Sequence, residues 1–207
     1  MNSCNTNSSP GDWEACRGSR CRRRSQSPLS PANTTKGLSM TGTTSDVALL
    51  IHTLTERVTL LEDKLAITEL MTAYGPAVDS GSAEAVARLW TEDGVYDVDT
   101  GVMRGHAEIT AMVRSQAHQA WIDGGCGHIL EPGHIIVDGD TAVATCKSQL
   151  IIRDGDHFTV LRVTATRWEL SKIDGTWKVT YRTGRLVDGR PDARALLAEG
   201  VRAEHEG

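Results

Sequence analysis

The feature that most limits how this chain can fold is the punctuation of its second half. Asp138-Gly139-Asp140, Asp154-Gly155-Asp156 and Asp174-Gly175 separate runs rich in β-branched residues. Aspartate and glycine tolerate the positive φ that tight hairpins require, so each cluster reads as a turn. The runs between them, about 126–137, 141–153, 157–171 and 176–187, predict a β meander.

The first half carries a different period. Leu50, Leu54, Val58, Leu61 and Leu65 recur at helical spacing, and Ile67, Leu70, Met71 and Tyr74 continue the stripe. Thr44 or Ser45 can cap this helix, and Pro76 is expected to disturb it near its end. Its early half, up to about Asp63, is amphipathic enough to pack on a neighbouring subunit. Ser82 is expected to cap a short helix, AEAVARLW. Val95 to Asp99 predicts a short strand, Gly101 to Gly105 a turn and brief strand, and 106–121 one further helix. Residues 191–199 predict a terminal helix. Helices that cover one face of an antiparallel sheet give an α+β layout.

Charge and cysteine usage bound the rest. Residues 1–44 hold six basic and two acidic residues, so the formal charge of −5 leaves about −9 on the remainder. An acidic folded part argues against nucleic-acid binding through it, because phosphate contacts need a basic face. The leader is poor in residues to bury and reads as disordered. Its cluster from Arg17 to Arg24 reads as a solvated tail, and composition changes around Met40, an alternative start of translation. Five scattered cysteines do not make a disulfide framework, and no apolar run reaches the roughly 18 residues of a membrane span. A cytoplasmic protein is the expectation. The domain reading is a leader over 1–44, one domain over 45–190 and a tail over 191–207.

The run LAITELMTAYGPAVDSGSAEAVARLWTEDGVYDVD resembles the opening of SnoaL-like proteins in the nuclear-transport-factor-2-like superfamily. GHILEPGHIIVDGDTAVA and KIDGTWKVTYRTGR resemble that family's central strand and last hairpin. The resemblance implies a cone-shaped curved antiparallel sheet packed on helices, the cystatin-like α+β arrangement, with an apolar pocket at its open end. Members include scytalone dehydratase, bile acid 7-alpha-dehydratase, ketosteroid isomerase and the β subunits of ring-hydroxylating dioxygenases. The dehydratase pattern carries over to Tyr74, Asp79, His128 and Arg185. Its second proton-transfer group falls near Ser148 or Gln149, neither of which takes a proton at neutral pH. The isomerase pattern would place its base at Asp97 or Asp99.

Each candidate has a plain reading beside the functional one. Tyr74 is a core tyrosine or a donor to a developing oxyanion. Asp79 supports a turn or fixes the tautomer of His128, whose ordinary pKa of about 6.5 suits a general base. Arg185 is solvated or holds a substrate carbonyl. Met112, Val113, Trp121, Leu150 and Ile152 are core or pocket wall. His134 shares a nominal face with His128, but a third metal ligand is missing, so no metal is expected. Simple alternation points Arg182 away from the face of Arg185.

The combined expectation is a cofactor-independent lyase (a dehydratase) or isomerase acting on a hydrophobic cyclic, polyketide- or steroid-like molecule. His128, Asp79 and Tyr74 are its catalytic candidates, and Arg185, Asp97, Asp99, Ser148, Trp121 and Met112 its substrate contacts. The alternative is a non-catalytic ligand-binding or structural subunit. A homodimer or homotrimer is expected, with no membrane partner.

Overall fold

The computed structural model describes residues 44–202. The leader, with Cys4, Cys16, Cys21, the arginine cluster and Met40, lies outside the described residues, as do residues 203–207. Among the described residues, no helix is long and apolar enough to cross a membrane.

Helix α1 spans Thr44–Asp79 and continues through Pro76, where the sequence pointed to a disturbance. Pro76 stands in the last turn, so it forfeits a single bond, that to the carbonyl four residues back. The amides of Ser80, Gly81 and Ser82 donate to the carbonyls of Pro76, Val78 and Ala77 at 3.0–3.1 Å, and Gly81 closes the helix with φ +69°. The surviving turn carries Asp79.

Burial along α1 is unequal. Ile67, Met71, Tyr74 and Val78 are at most 3% exposed, whereas Leu50, Leu54, Val58, Leu61 and Leu65 are 47–66% exposed. Asp63 marks the change, its Oδ1 accepting from Lys172 Nζ at 2.6 Å and Trp177 Nε1 at 2.9 Å. The first half of the stripe is therefore left largely uncovered within the described chain.

Helix α2 is Ala83–Ala87. Ser82 does not cap it with its side chain, because its Oγ is 2.9 Å from Ser80 Oγ instead. The expected helix stops early. Val179 N donates to Leu89 O at 2.9 Å, which draws Trp90 into strand β1, Trp90–Val98. Strand β2 is Gly101–Arg104. The single helix expected over 106–121 is two, α3 at Gly105–Arg114 and α4 at Gln116–Gly124. Ser115 breaks them with extended backbone, and its side chain accepts from His118 N at the start of α4.

The β meander is present, with its first segment split into β3, Cys126–Leu130, and β4, His134–Asp138. Pro132 has no N–H to donate, which suits the interruption. Strands β5 (Thr141–Asp154), β6 (His157–Ile173) and β7 (Thr176–Leu186) follow, then α5, Pro191–Arg202. The sheet runs β2-β1-β7-β6-β5-β3, with β4 also paired to β5; it is curved and does not close. All pairs are antiparallel except β1 with β7, which is parallel.

Two bulges set which side chains face inward. Leu170 pairs with Val179 and Glu169 with Tyr181, leaving Thr180 as an extra residue. Likewise Leu161 is extra between the partners of Leu150 and Ile151. Each bulge bends its strand and reverses alternation beyond it. Gly75 lets α1 approach β3 closely, since a Cβ there would stand 2.4 Å from the His128 carbonyl oxygen.

Candidate active site

A cavity of about 410 Å³ lies between the inner face of the sheet and helices α1, α3 and α4. That volume is within the range of small-molecule sites. Tyr74 enters it from α1, Tyr96 and Val98 from β1, Met112 from α3, His118 and Trp121 from α4, His128 and Leu130 from β3. Ser148 and Leu150 of β5, Arg162 and Thr164 of β6, Arg182 of β7 and Met103 of β2 are also part of the wall.

His128 Nδ1 stands 2.5 Å from Asp79 Oδ1, and the His128 amide donates to Asp79 Oδ2 at 2.7 Å. One carboxylate thus grips both the ring and the backbone of the same residue. That grip depends on the last turn of α1 and on the close approach at Gly75. Burial pulls the Asp79 carboxyl upward, but hydrogen bonds from the His128 ring and backbone outweigh it and hold the group below its usual range. Asp79 therefore stays ionised, and it orients Nδ1–H so that Nε2 is the nitrogen left for the cavity.

Tyr74 is 2% exposed, with its ring 6.2 Å from His128 and 5.9 Å from both Trp90 and Trp168. Burial, then the neighbouring Tyr96, push its phenol far above the ordinary value. It remains a neutral hydrogen-bond donor.

Sequence reasoning passed over His118, which is 4% exposed and stacks on His128 with ring centres 5.7 Å apart and planes at 23°. Its Nε2 is 3.4 Å from Val78 O. A histidine set between Val113 and Trp121 at helical spacing was the available signal, and the Ser115 break hid it. Burial pushes His118 down, and His128 beside it adds to the effect. The sign follows directly. An unfolded chain takes up this proton near pH 6.5, before the folded one does, so the contribution to stability is present above that pH and lost as pH falls through the depressed folded value. Wild-type Tm should fall between pH 7 and pH 5 through this residue. His118→Asn should flatten that interval in a thermal melt series, and equal slopes in the two proteins would refute the assignment.

Three expected substrate contacts stand elsewhere. Tyr96 and Val98 face the cavity, so Asp97 between them points out of the opposite face, where Arg185 Nη2 pairs with its Oδ2 at 2.8 Å and Tyr181 donates to it at 3.1 Å. Arg185 is therefore committed to Asp97. Asp99 accepts from Leu186 N at 2.8 Å and pairs with Arg162. The arginine that does reach the cavity is Arg182, the one that simple alternation turned away; the extra residue at Thr180 reverses the parity. Ser148, Trp121 and Met112 do line the cavity. Val113 is fully buried core and Ile152 is outside the lining.

Asp79, Cys126 and His128 offer ligand atoms within 4.8 Å of one another, a different set from the His128 and His134 considered above. A cation there would have to replace the hydrogen bond between His128 and Asp79. Burial and the Asp79 charge push the Cys126 thiol up to about 11, so it keeps its proton in this arrangement. His134 Nδ1 is instead 3.0 Å from Gly200 O.

Residues 59–183 match the SnoaL-like domain family. The chain belongs to that family. An NTF2-like protein with a cystatin-like fold from Novosphingobium aromaticivorans is 39% identical to this SnoaL-like chain, covering 76% of it and 98% of its own length, with a TM-score of 0.68. A protein of unknown function from Mycobacterium tuberculosis is 23% identical over 70% of the chain and 90% of its own, with a TM-score of 0.57. The hexachlorocyclohexane dehydrochlorinase LinA-type3 from Novosphingobium barchaimii is 18% identical over 63% of the chain and 90% of its own, with a TM-score of 0.55. The latter two likenesses concern the fold alone. No curated protein matches the chain.

Proposed function

We propose that this SnoaL-like domain is a cofactor-independent lyase or isomerase that acts by proton transfer on a hydrophobic cyclic molecule. The observation that carries the reading is the 2.5 Å contact between His128 Nδ1 and the ionised Asp79 on the wall of an open cavity. In this scheme His128 Nε2 takes a proton from a carbon next to a carbonyl. The C–H electron pair moves toward the carbonyl oxygen, and the buried Tyr74 phenol donates a hydrogen bond to the charge that develops there. The imidazolium, stabilised by Asp79, then returns its proton. Delivered to a leaving hydroxyl, it releases water and completes a dehydration; delivered to another carbon, it completes an isomerisation.

Ser148 supports the second reading, a ligand-binding or structural subunit, because it stands where a second proton-transfer group would be needed. The uncovered apolar flank of α1 supports a homodimer or homotrimer under either reading.

Incubation in D₂O with cyclic ketones and β-hydroxy ketones tests the scheme by proton NMR. Deuterium should enter the position next to the carbonyl, and His128→Ala should slow that entry by about 10²- to 10⁴-fold. Exchange no faster than in buffer, or unchanged in a folded His128→Ala protein, would refute it.

A further inference from the structure

We propose that the cavity binds a hydrophobic molecule bearing a carboxylate, and that Arg182 receives that carboxylate. This deepens the reading above, since it names the charge of the molecule on which His128 and Asp79 act.

Arg182 is 2% exposed and borders the cavity. Its guanidinium carbon lies 3.9 Å from the ring centre of Trp168, 4.2 Å from that of Tyr74 and 4.7 Å from that of Tyr96. Aromatic faces attract a cation but bring no opposite charge. Three partly buried cations of the described chain each have a carboxylate: Lys172 has Asp63, Arg162 has Asp99 and Arg185 has Asp97. Arg182 has no such ion pair among the described residues, and its Nε and Nη1 are buried without a hydrogen-bond partner. Buried donors left without an acceptor are rare, and a buried unpaired charge is costly.

The cavity wall explains how that charge is met. None of the lining residues is an aspartate or glutamate, while Arg182 and Arg162 both contribute to it. An anion entering there meets Arg182 and no carboxylate on the wall itself, since Asp79 and Asp99 stand behind His128 and Arg162. A guanidinium presents a planar fork of N–H donors that matches a carboxylate. Leu130, Leu150, Met103 and Met112 leave the remaining wall apolar, which selects a hydrophobic body for the same ligand. Arg182 and His128 both line this cavity, each beside the ring of Tyr74.

Calorimetric titration of the full chain with 2-naphthoate and with 2-naphthamide tests the proposal, because the probes share a shape and differ in charge. The wild type should bind 2-naphthoate at least about tenfold tighter than the amide, the difference expected of a charge-assisted hydrogen bond. Arg182→Met should bind the two alike. A wild type that binds 2-naphthoate no tighter than the amide, or binds neither, overturns the proposal, as does a folded Arg182→Met protein that retains the preference. Should Arg182→Met not fold, Arg182→Gln removes the same charge and is read by the same criterion. Because the readout is binding, failure of deuterium exchange would sink the proton-transfer reading and leave this result standing, and the reverse also holds.

Discussion

Asp79→Asn should reduce turnover by about 10³- to 10⁴-fold, the scale seen when an imidazole base is forced into the wrong tautomer. Asp79 accepts two hydrogen bonds from His128, one from the backbone amide at 2.7 Å and one at the ring at 2.5 Å. An asparagine has one acceptor oxygen. If that oxygen keeps the backbone amide, its NH₂ faces Nδ1, which must then accept, and the ring proton moves to Nε2. A nitrogen that already carries a proton cannot take another from substrate at neutral pH. The loss should fall on kcat rather than KM, because Asp79 is not part of the cavity lining. Steady-state kinetics on any substrate found by deuterium exchange would check it. A change smaller than about threefold would mean that His128 does not act as the base.

The largest effect on stability should come from Trp168→Ala, at about 3–5 kcal/mol. Trp168 is fully buried, with its ring 5.9 Å from that of Tyr74 and 6.2 Å from that of Trp90. Its Nε1 donates to Thr166 Oγ1 at 3.2 Å, and it forms the closest aromatic face over Arg182. Removal opens a void in the aromatic cluster and strips a face from a buried cation that has no ion-pair partner among the described residues. Trp168→Phe keeps a ring and should cost clearly less. Urea unfolding of the three proteins gives the comparison. A Trp168→Ala cost below about 1 kcal/mol would show that the cluster is loosely packed and that Arg182 is held by something else.

Much of the fold was legible because it rests on local chemistry. The Asp-Gly turns located the hairpins, and glycines 139, 155 and 175 take positive φ there. The helical period located α1, but period alone does not distinguish a stripe that packs on its own domain from one left uncovered. Ile67 and Leu65 read alike in sequence; one is fully buried and the other 59% exposed. The breaks at Ser115 and after Leu130 depend on where the chain must turn to meet the sheet.

The candidate site divides along the same line. Tyr74, Asp79 and His128 were marked by residue type and by their spacing at the end of a helix and the start of a strand. Their contact needed the chain to continue helically past Pro76 and a glycine at position 75 to admit β3. The arginine that lines the cavity is not the one the sequence singled out. Residue type pointed to the last strand, but alternation was counted through Thr180 as though the strand were regular, which favoured Arg185 over Arg182.

By itself the sequence determined the kinds of element, their order, the family and the chemical groups available, because each follows from neighbours along the chain. Tertiary structure alone decided which arginine faces the cavity, that His118 stacks on His128, and that Asp97 and Asp99 are spent on ion pairs. The physical reason is that one extra residue in a strand reverses every side chain beyond it at little local cost. Such a residue is placed by the curvature of the whole sheet, and no short stretch of sequence encodes that curvature.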